Sequence, residues 1–243
     1  MNMKKGIFIV WLLWVNLCTL SAQTENPVGK FSVIPRVGVT IANLTHNSLT
    51  TFREGDHSNI LNLNSKAKAG FMGGLDVEYR ISQPLAWGIG AYYAQQGYRY
   101  PDYAQGDPSK AVGNSYSYVG IHDHHANLHY LNVPLYVKGY LVEGLAVMVG
   151  VQMGNYISGK EKYEETQVQK NKDGSMTYGK TSPKEDDIHA KTTEWSIPIG
   201  LSYEYEHVIL DARYHIGLSR VIDGSESMKN KTITVSVGYR FML

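Results

Sequence analysis

The 243-residue sequence has one cysteine, Cys18, so it can build neither a disulfide framework nor a cysteine-based zinc site. It has no excess of either charge. Its 23 Lys and Arg against 22 Asp and Glu give +1, which supplies no electrostatic footprint for a nucleic-acid partner. Proline is scarce at 8 residues, and charged residues make up 19%. Against these shortages stand 24 glycines and 18 tyrosines, with only 5 Phe and 4 Trp. At 43% hydrophobic, the composition is too apolar and aromatic for a disordered chain.

Residues 1–22 read as a secretory signal peptide. Lys4 and Lys5 form a basic start, Gly6 to Leu17 an apolar run, and Ser21-Ala22 the small residues before Gln23. The run is shorter than the roughly 20 residues of a transmembrane helix. Leu17 before Cys18 is too large for a lipidation signal. Without Lys4 and Lys5 the charge falls from +1 to −1, and the segment 23–243 contains no thiol. No second long apolar run lies beyond Gln23, so no membrane-spanning helix is expected.

The rest of the chain alternates with period two, the pattern of strands with one apolar and one polar face. Trp195, Ile197, Ile199, Leu201, Tyr203 and Tyr205 share one face, interleaved with Ser196, Pro198, Gly200, Ser202 and Glu204. The same pattern predicts strands over 33–41, 71–81, 85–96, 131–141, 145–156, 195–205, 208–218 and 233–243. The connections between these eight strands alternate long and short without exception: 42–67, 82–84, 99–127, 142–144, 159–192, 206–207 and 220–230. A soluble sandwich has no reason to place every long loop at one end, whereas outer-membrane barrels pair short periplasmic turns with long external loops. The predicted architecture is therefore an all-β, eight-stranded antiparallel up-and-down transmembrane β-barrel at 23–243, in the outer membrane of a Gram-negative cell.

The apolar faces carry aromatic residues near both ends. Tyr79, Trp87, Tyr203, Tyr205, Tyr239 and Phe241 lie at the short-turn end, and Phe71, Tyr93, Tyr156 and Trp195 at the long-loop end, which predicts two interfacial girdles. Pro134 and Pro198 conflict with a closed ladder, since proline removes a backbone donor, and are expected at bulges or kinks.

The polar faces hold Arg36, Asp76, Glu78, Arg80, Lys138, Glu204, Asp211, Arg213 and Arg240, five positive and four negative residues. An eight-stranded barrel is just wide enough for side chains to fill it, so these are expected to form a salt-bridged lumen plug and not a pore. No catalytic residues and no cofactor are expected. Weak metal candidates are His122, Asp123, His124 and His125, with His129 nearby, because imidazole and carboxylate are zinc ligands. Together with Asp186, Asp187 and His189 they could also form an omptin-like protease site, although omptins have ten strands. Asp173-Gly174, between Tyr163–Val168 and Ser175–Tyr178, is a hairpin signal and predicts an exposed ribbon.

Three segments resemble a known family. Arg36 to Leu44 (RVGVTIANL) is similar to its opening strand, Tyr130 to Lys138 (YLNVPLYVK) to its central Tyr-Leu-Glu-Ile-Pro-Leu strand, and Val237 to Phe241 (VGYRF) to its closing strand. This is the PorT-like outer-membrane barrel family of Bacteroidota. Asn132 stands where the family usually has Glu, and the chain ends in Leu243 where such barrels often end in Phe. The resemblance implies eight strands, and its namesake is associated with type IX protein secretion, a role most members need not share; the expected role is of structural or binding type, with that of a secretion accessory included. The alternative is a surface adhesion or ligand-binding barrel. The partners implied are outer-membrane lipid, the barrel-insertion machinery and other secretion or surface proteins, with no nucleic acid.

Overall fold

The computed structural model describes residues 28–53, 56–106, 116–221 and 228–243. The predicted signal peptide lies outside the described residues. The described residues contain no helix and form one antiparallel sheet of thirteen strands. These are β1 (Phe31–Leu44), β2 (Ser48–Arg53), β3 (Asp56–Asn64), β4 (Lys66–Ser82), β5 (Leu85–Arg99), β6 (Tyr103–Gln105), β7 (Tyr116–Val142), β8 (Leu145–Lys170), β9 (Met176–Asp187), β10 (Thr193–Tyr205), β11 (Val208–Gly217), β12 (Asn230–Tyr239) and β13 (Phe241–Met242).

Eight of these positions close a barrel. The path β7-β5-β4-β1-β12-β11-β10-β8 returns to its start through the β7–β8 ladder, and β13 continues the course of β12 by pairing with β1. All eight strands read from the alternation coincide with this ring. Side chains obey the period: in β12, Ile233, Val235 and Val237 are exposed on the outer wall while Thr232, Thr234 and Ser236 are buried within. In a soluble protein such a continuous apolar exterior would be a liability. Around a barrel it is the surface that lipid requires.

The girdles are built from ring contacts. Tyr79 lies 4.7 Å from Phe31 and 6.4 Å from Trp87 at the short-turn end, and Tyr239 packs 4.9 Å from Phe241. At the other end Phe71 lies 5.5 Å from Tyr93, and Trp195 is exposed on the outer wall. Tyr156 departs from the outward placement expected of it. The β7–β8 register shifts between His129 and Tyr130, whose partners are Ser158 and Tyr156. Tyr156 has the inward parity of Gln152 and Gly154, and the extra residue, Ile157, follows it, so Tyr156 packs edge-on against buried Tyr130 at 5.8 Å and donates its hydroxyl to the Ile188 carbonyl.

The two prolines are accommodated without bulges. The β5–β7 pairing skips from Ile89↔Leu135 to Tyr92↔Asn132, and the β8–β10 pairing from Val149↔Ile199 to Gln152↔Ser196. Both skips advance three residues on each strand, so register is kept and rungs alone are lost beside Pro134 and Pro198. The missing N–H groups thus weaken the two outer flanks of the β7–β8 pair, whose own ladder runs unbroken past Pro134.

Three of the long connections, 42–67, 99–127 and 159–192, carry strands of their own. β7 and β8 reach 27 and 26 residues, more than twice what a tilted strand needs to cross a bilayer. Outside the ring, β2, β3 and β6 join β7 on one side and β9 joins β8 on the other. The exposed ribbon expected around Asp173-Gly174 is the β8–β9 hairpin, turned at Gly174 with φ 84°.

Candidate functional site

The inward charges converge in the lower lumen. Arg36 of β1 is fully enclosed, with Nε 2.7 Å from Asp76 Oδ2 and NH1 3.6 Å from Asp211 Oδ2. Arg213 bridges the same two acids at 3.2 Å and 2.6 Å. Glu78 is held by Lys138, by the Tyr136 hydroxyl at 2.8 Å and by Arg240 at 2.8 Å. Arg240 reaches on to Glu204 at 2.7 Å and Ser32 Oγ at 2.6 Å. Arg36, Lys138, Arg213 and Arg240 thus face Asp76, Glu78, Asp211 and Glu204, four charges against four, all buried.

Arg80 stands apart from the other eight residues. It is half-buried at the periplasmic mouth, donates to the Ser82 and Gln83 carbonyls, and stacks 3.5 Å from the Tyr140 ring centroid. Its departure is what balances the remaining set. Glycine makes room for the network: a Cβ at Gly90 would fall on Asp76 Oδ1 and within 2.8 Å of the Tyr92 ring. An ion cluster this deep is tolerated because every charge meets an opposite one, and Asp76, Glu78 and Asp211 each meet two or more. It holds charges, a tyrosine and aliphatic stems together across the lumen.

The mouth facing outward is sealed differently. Leu44, Tyr98, Tyr100, Tyr103, Ile121, Ala126, Leu128, Tyr130 and Val221 form a buried cluster, partly covered by Tyr156, Tyr163 and Ile188. The hydroxyls of Tyr98, Tyr100 and Tyr103 are tied down. Tyr103 bonds His124 Nδ1 at 2.9 Å, His124 Nε2 bonds Glu161 at 2.7 Å, and Tyr100 donates to Asn47 at 2.6 Å. The His124 contact and that of Tyr98 at 3.3 Å keep the Glu161 carboxyl below its ordinary range. Burial pushes Tyr103 up to about 12 and raises Tyr98 and Tyr100 well above the usual phenol range. No sequence motif announces this cap. Its one visible signal is the run Tyr98, Tyr100 and Tyr103, where aromatic spacing continues past the predicted end of a strand.

The four weak metal candidates do not converge. His124 continues the inward parity of Ala126, Leu128 and Tyr130, and the register shift at Asp123, with φ 48°, lies beyond it. His122 pairs with Asp102 at 3.2 Å, and His125 with Asp123 at 3.4 Å. His129 stacks on Tyr93 at the girdle. Asp186 accepts from Tyr163 on the β8–β9 ribbon, and His189 is exposed after β9. Among the described residues no three His, Cys, Asp or Glu side chains gather in a metal-binding set.

The family model described as "Outer membrane protein beta-barrel domain" matches residues 21–223. The chain belongs to this outer-membrane β-barrel family. Among solved structures it is similar to Ail, the attachment invasion locus protein of Yersinia pestis, at 15% identity over 88% of this chain and 100% of that one, with a TM-score of 0.35. It is also similar to Neisserial surface protein A, at 13% identity over 87% and 97% with a TM-score of 0.40. Outer Membrane Protein W of E. coli matches at 14% identity over 89% and 100%, with a TM-score of 0.32. No curated protein matches.

Proposed function

We propose that this outer-membrane barrel is a closed, non-enzymatic binding protein whose working surface is the extracellular sheet. The observation that carries the reading is the contrast between its two ends. A balanced ion network fills the lumen below an aromatic cap, while β2, β3, β6, β9 and the outer halves of β7 and β8 rise beyond the lipid-facing band. A barrel built to pass solutes keeps its interior open. This one invests its longest strands outside.

A second reading is favoured by the similarity of RVGVTIANL, YLNVPLYVK and VGYRF to PorT-like strands. In that reading the same extracellular or periplasmic surface serves type IX secretion as an accessory. One experiment separates the two. A deletion strain is complemented with the full chain or with a chain in which 164–182 is replaced by a two-residue turn. Attachment to surfaces and secreted cargo are then both measured. The binding reading predicts lost attachment that the shortened chain does not restore, with cargo still reaching the medium. Cargo retained in the periplasm of the deletion strain supports the secretion reading and overturns the first.

A further inference from the structure

Between the ion network and the aromatic cap lies a second polar cluster that the lumen network does not use. Asn132 of β7, Gly154 of β8 and Glu194 of β10 are register partners in one row across three strands. Their side chains point inward, and Asn132 and Glu194 are only 5% and 4% exposed. With no side chain at Gly154, the two neighbours lean over it. A Cβ built there would lie 2.9 Å from Asn132 Oδ1 and 3.0 Å from Glu194 Oε1. The two oxygens therefore approach a common point. Asn230 donates to Glu194 Oε2 from β12, and Tyr130 is buried beside this group.

Charge and hydrogen-bond capacity are both incomplete here. Among the described residues no Lys, Arg or His pairs with Glu194, and the eight-member network below is already balanced at four against four. Asn132 Oδ1, Asn230 Oδ1 and the Tyr130 hydroxyl are buried with no hydrogen-bond partner. A buried carboxylate without a counter-charge is costly, and so is each orphaned acceptor. A water molecule could donate to two acceptors but would leave the charge. A proton on Glu194 would satisfy one acceptor and leave the others. A metal ion answers both deficits, and an all-oxygen set with one carboxylate suits hard cations over zinc or copper.

We propose that Glu194 Oε1, Asn132 Oδ1, Asn230 Oδ1 and Tyr130 Oη form an upper-lumen site for a hard cation of the sodium or calcium class. The site sits above the plug and beneath the cap, so the ion enters as the barrel folds and stays when the cap closes. Its role is structural: it joins β7, β10 and β12 just above the gap that Pro198 leaves in the β8–β10 ladder.

The test is the folding equilibrium of the full-length barrel, refolded into detergent micelles in sodium, calcium or choline chloride at equal ionic strength. At a metal concentration ten times the dissociation constant, the folded-to-unfolded ratio should rise about tenfold over choline. The rise should vanish in Glu194→Gln and weaken in Asn132→Ala, which removes a ligand without changing charge. Should Glu194→Gln not fold, the wild-type salt comparison with Asn132→Ala decides. Equal stability of the wild type in all three salts overturns the proposal. So does a metal effect undiminished in both variants, or a carboxylic-acid infrared band at mildly alkaline pH that disappears in Glu194→Gln.

Discussion

Two Lys–Glu pairs of the same chemistry sit in opposite settings. Lys138 and Glu78 meet inside the lumen, each 1% exposed, with Arg240, Arg36 and Tyr136 around them. Lys160 and Glu185 meet on the β8–β9 ribbon, 52% and 39% exposed, with Lys162 sharing the carboxylate at 2.7 Å. Water screens the outer pair and hydrates it equally well when broken. The inner pair has no such alternative, so losing one partner strands the other charges. Similar contacts therefore differ in consequence: the lumen network locks the barrel, whereas the ribbon pairs tune a surface free to vary.

The largest expected effect is at Glu78. Glu78→Gln leaves Lys138 and Arg240 short of a counter-charge and should cost about 3–5 kcal/mol in urea unfolding of the micelle-bound barrel. The combined change Glu78→Leu and Lys138→Met should recover most of that loss, because a matched apolar replacement removes both charges. If the single and double variants are equally unstable, the network does not act as a pair-wise lock.

In the cap, Tyr103→Phe deletes one hydrogen bond to His124. It should cost about 1 kcal/mol, seen as faster hydrogen exchange at 98–103 and 121–128 with the membrane strands unchanged. Acid should act on the same region. Glu161 has a depressed pKa in the folded state, so its contribution is fully present above the ordinary carboxylate range and is lost as pH falls through the folded value. Exchange in the cap should therefore rise on acidification while the lumen strands stay protected, and Glu161→Gln should flatten that dependence. The smallest effect belongs to the ribbon. Glu185→Gln should leave the global unfolding midpoint unchanged, and a clear loss would erase the contrast between the two settings.

The barrel itself is legible in the sequence because lipid outside and polar side chains inside impose a period of two on every spanning strand. The alternation of β10 and β12 gives strand, face and order. Beyond the bilayer that constraint ends, which is why β2, β3, β6 and the outer parts of β7 and β8 lie where the sequence suggests loops. The nine inward charges come from the alternation, but their pairing depends on strand stagger. Arg80 alternates correctly yet falls at the mouth, half-buried beside Tyr140. One-residue shifts are also invisible: the bulges near Asp123 and Ile157 reverse the alternation beyond them and bring Ile121 and Gly159 inward, whereas His124 and Tyr156 follow the plain period of two. In the sequence Asn132 stands out as a departure from the Glu of the PorT-like strands, with no partner indicated. Only the register sets it beside Gly154 and Glu194.

The central claim is that this barrel is closed and works from its outer surface. Conductance of the purified full-length barrel in planar lipid bilayers tests it most directly. With the cap and the ion network both intact, the wild type should hold a flat baseline across the applied voltage range. Discrete, reproducible channel openings would contradict the claim.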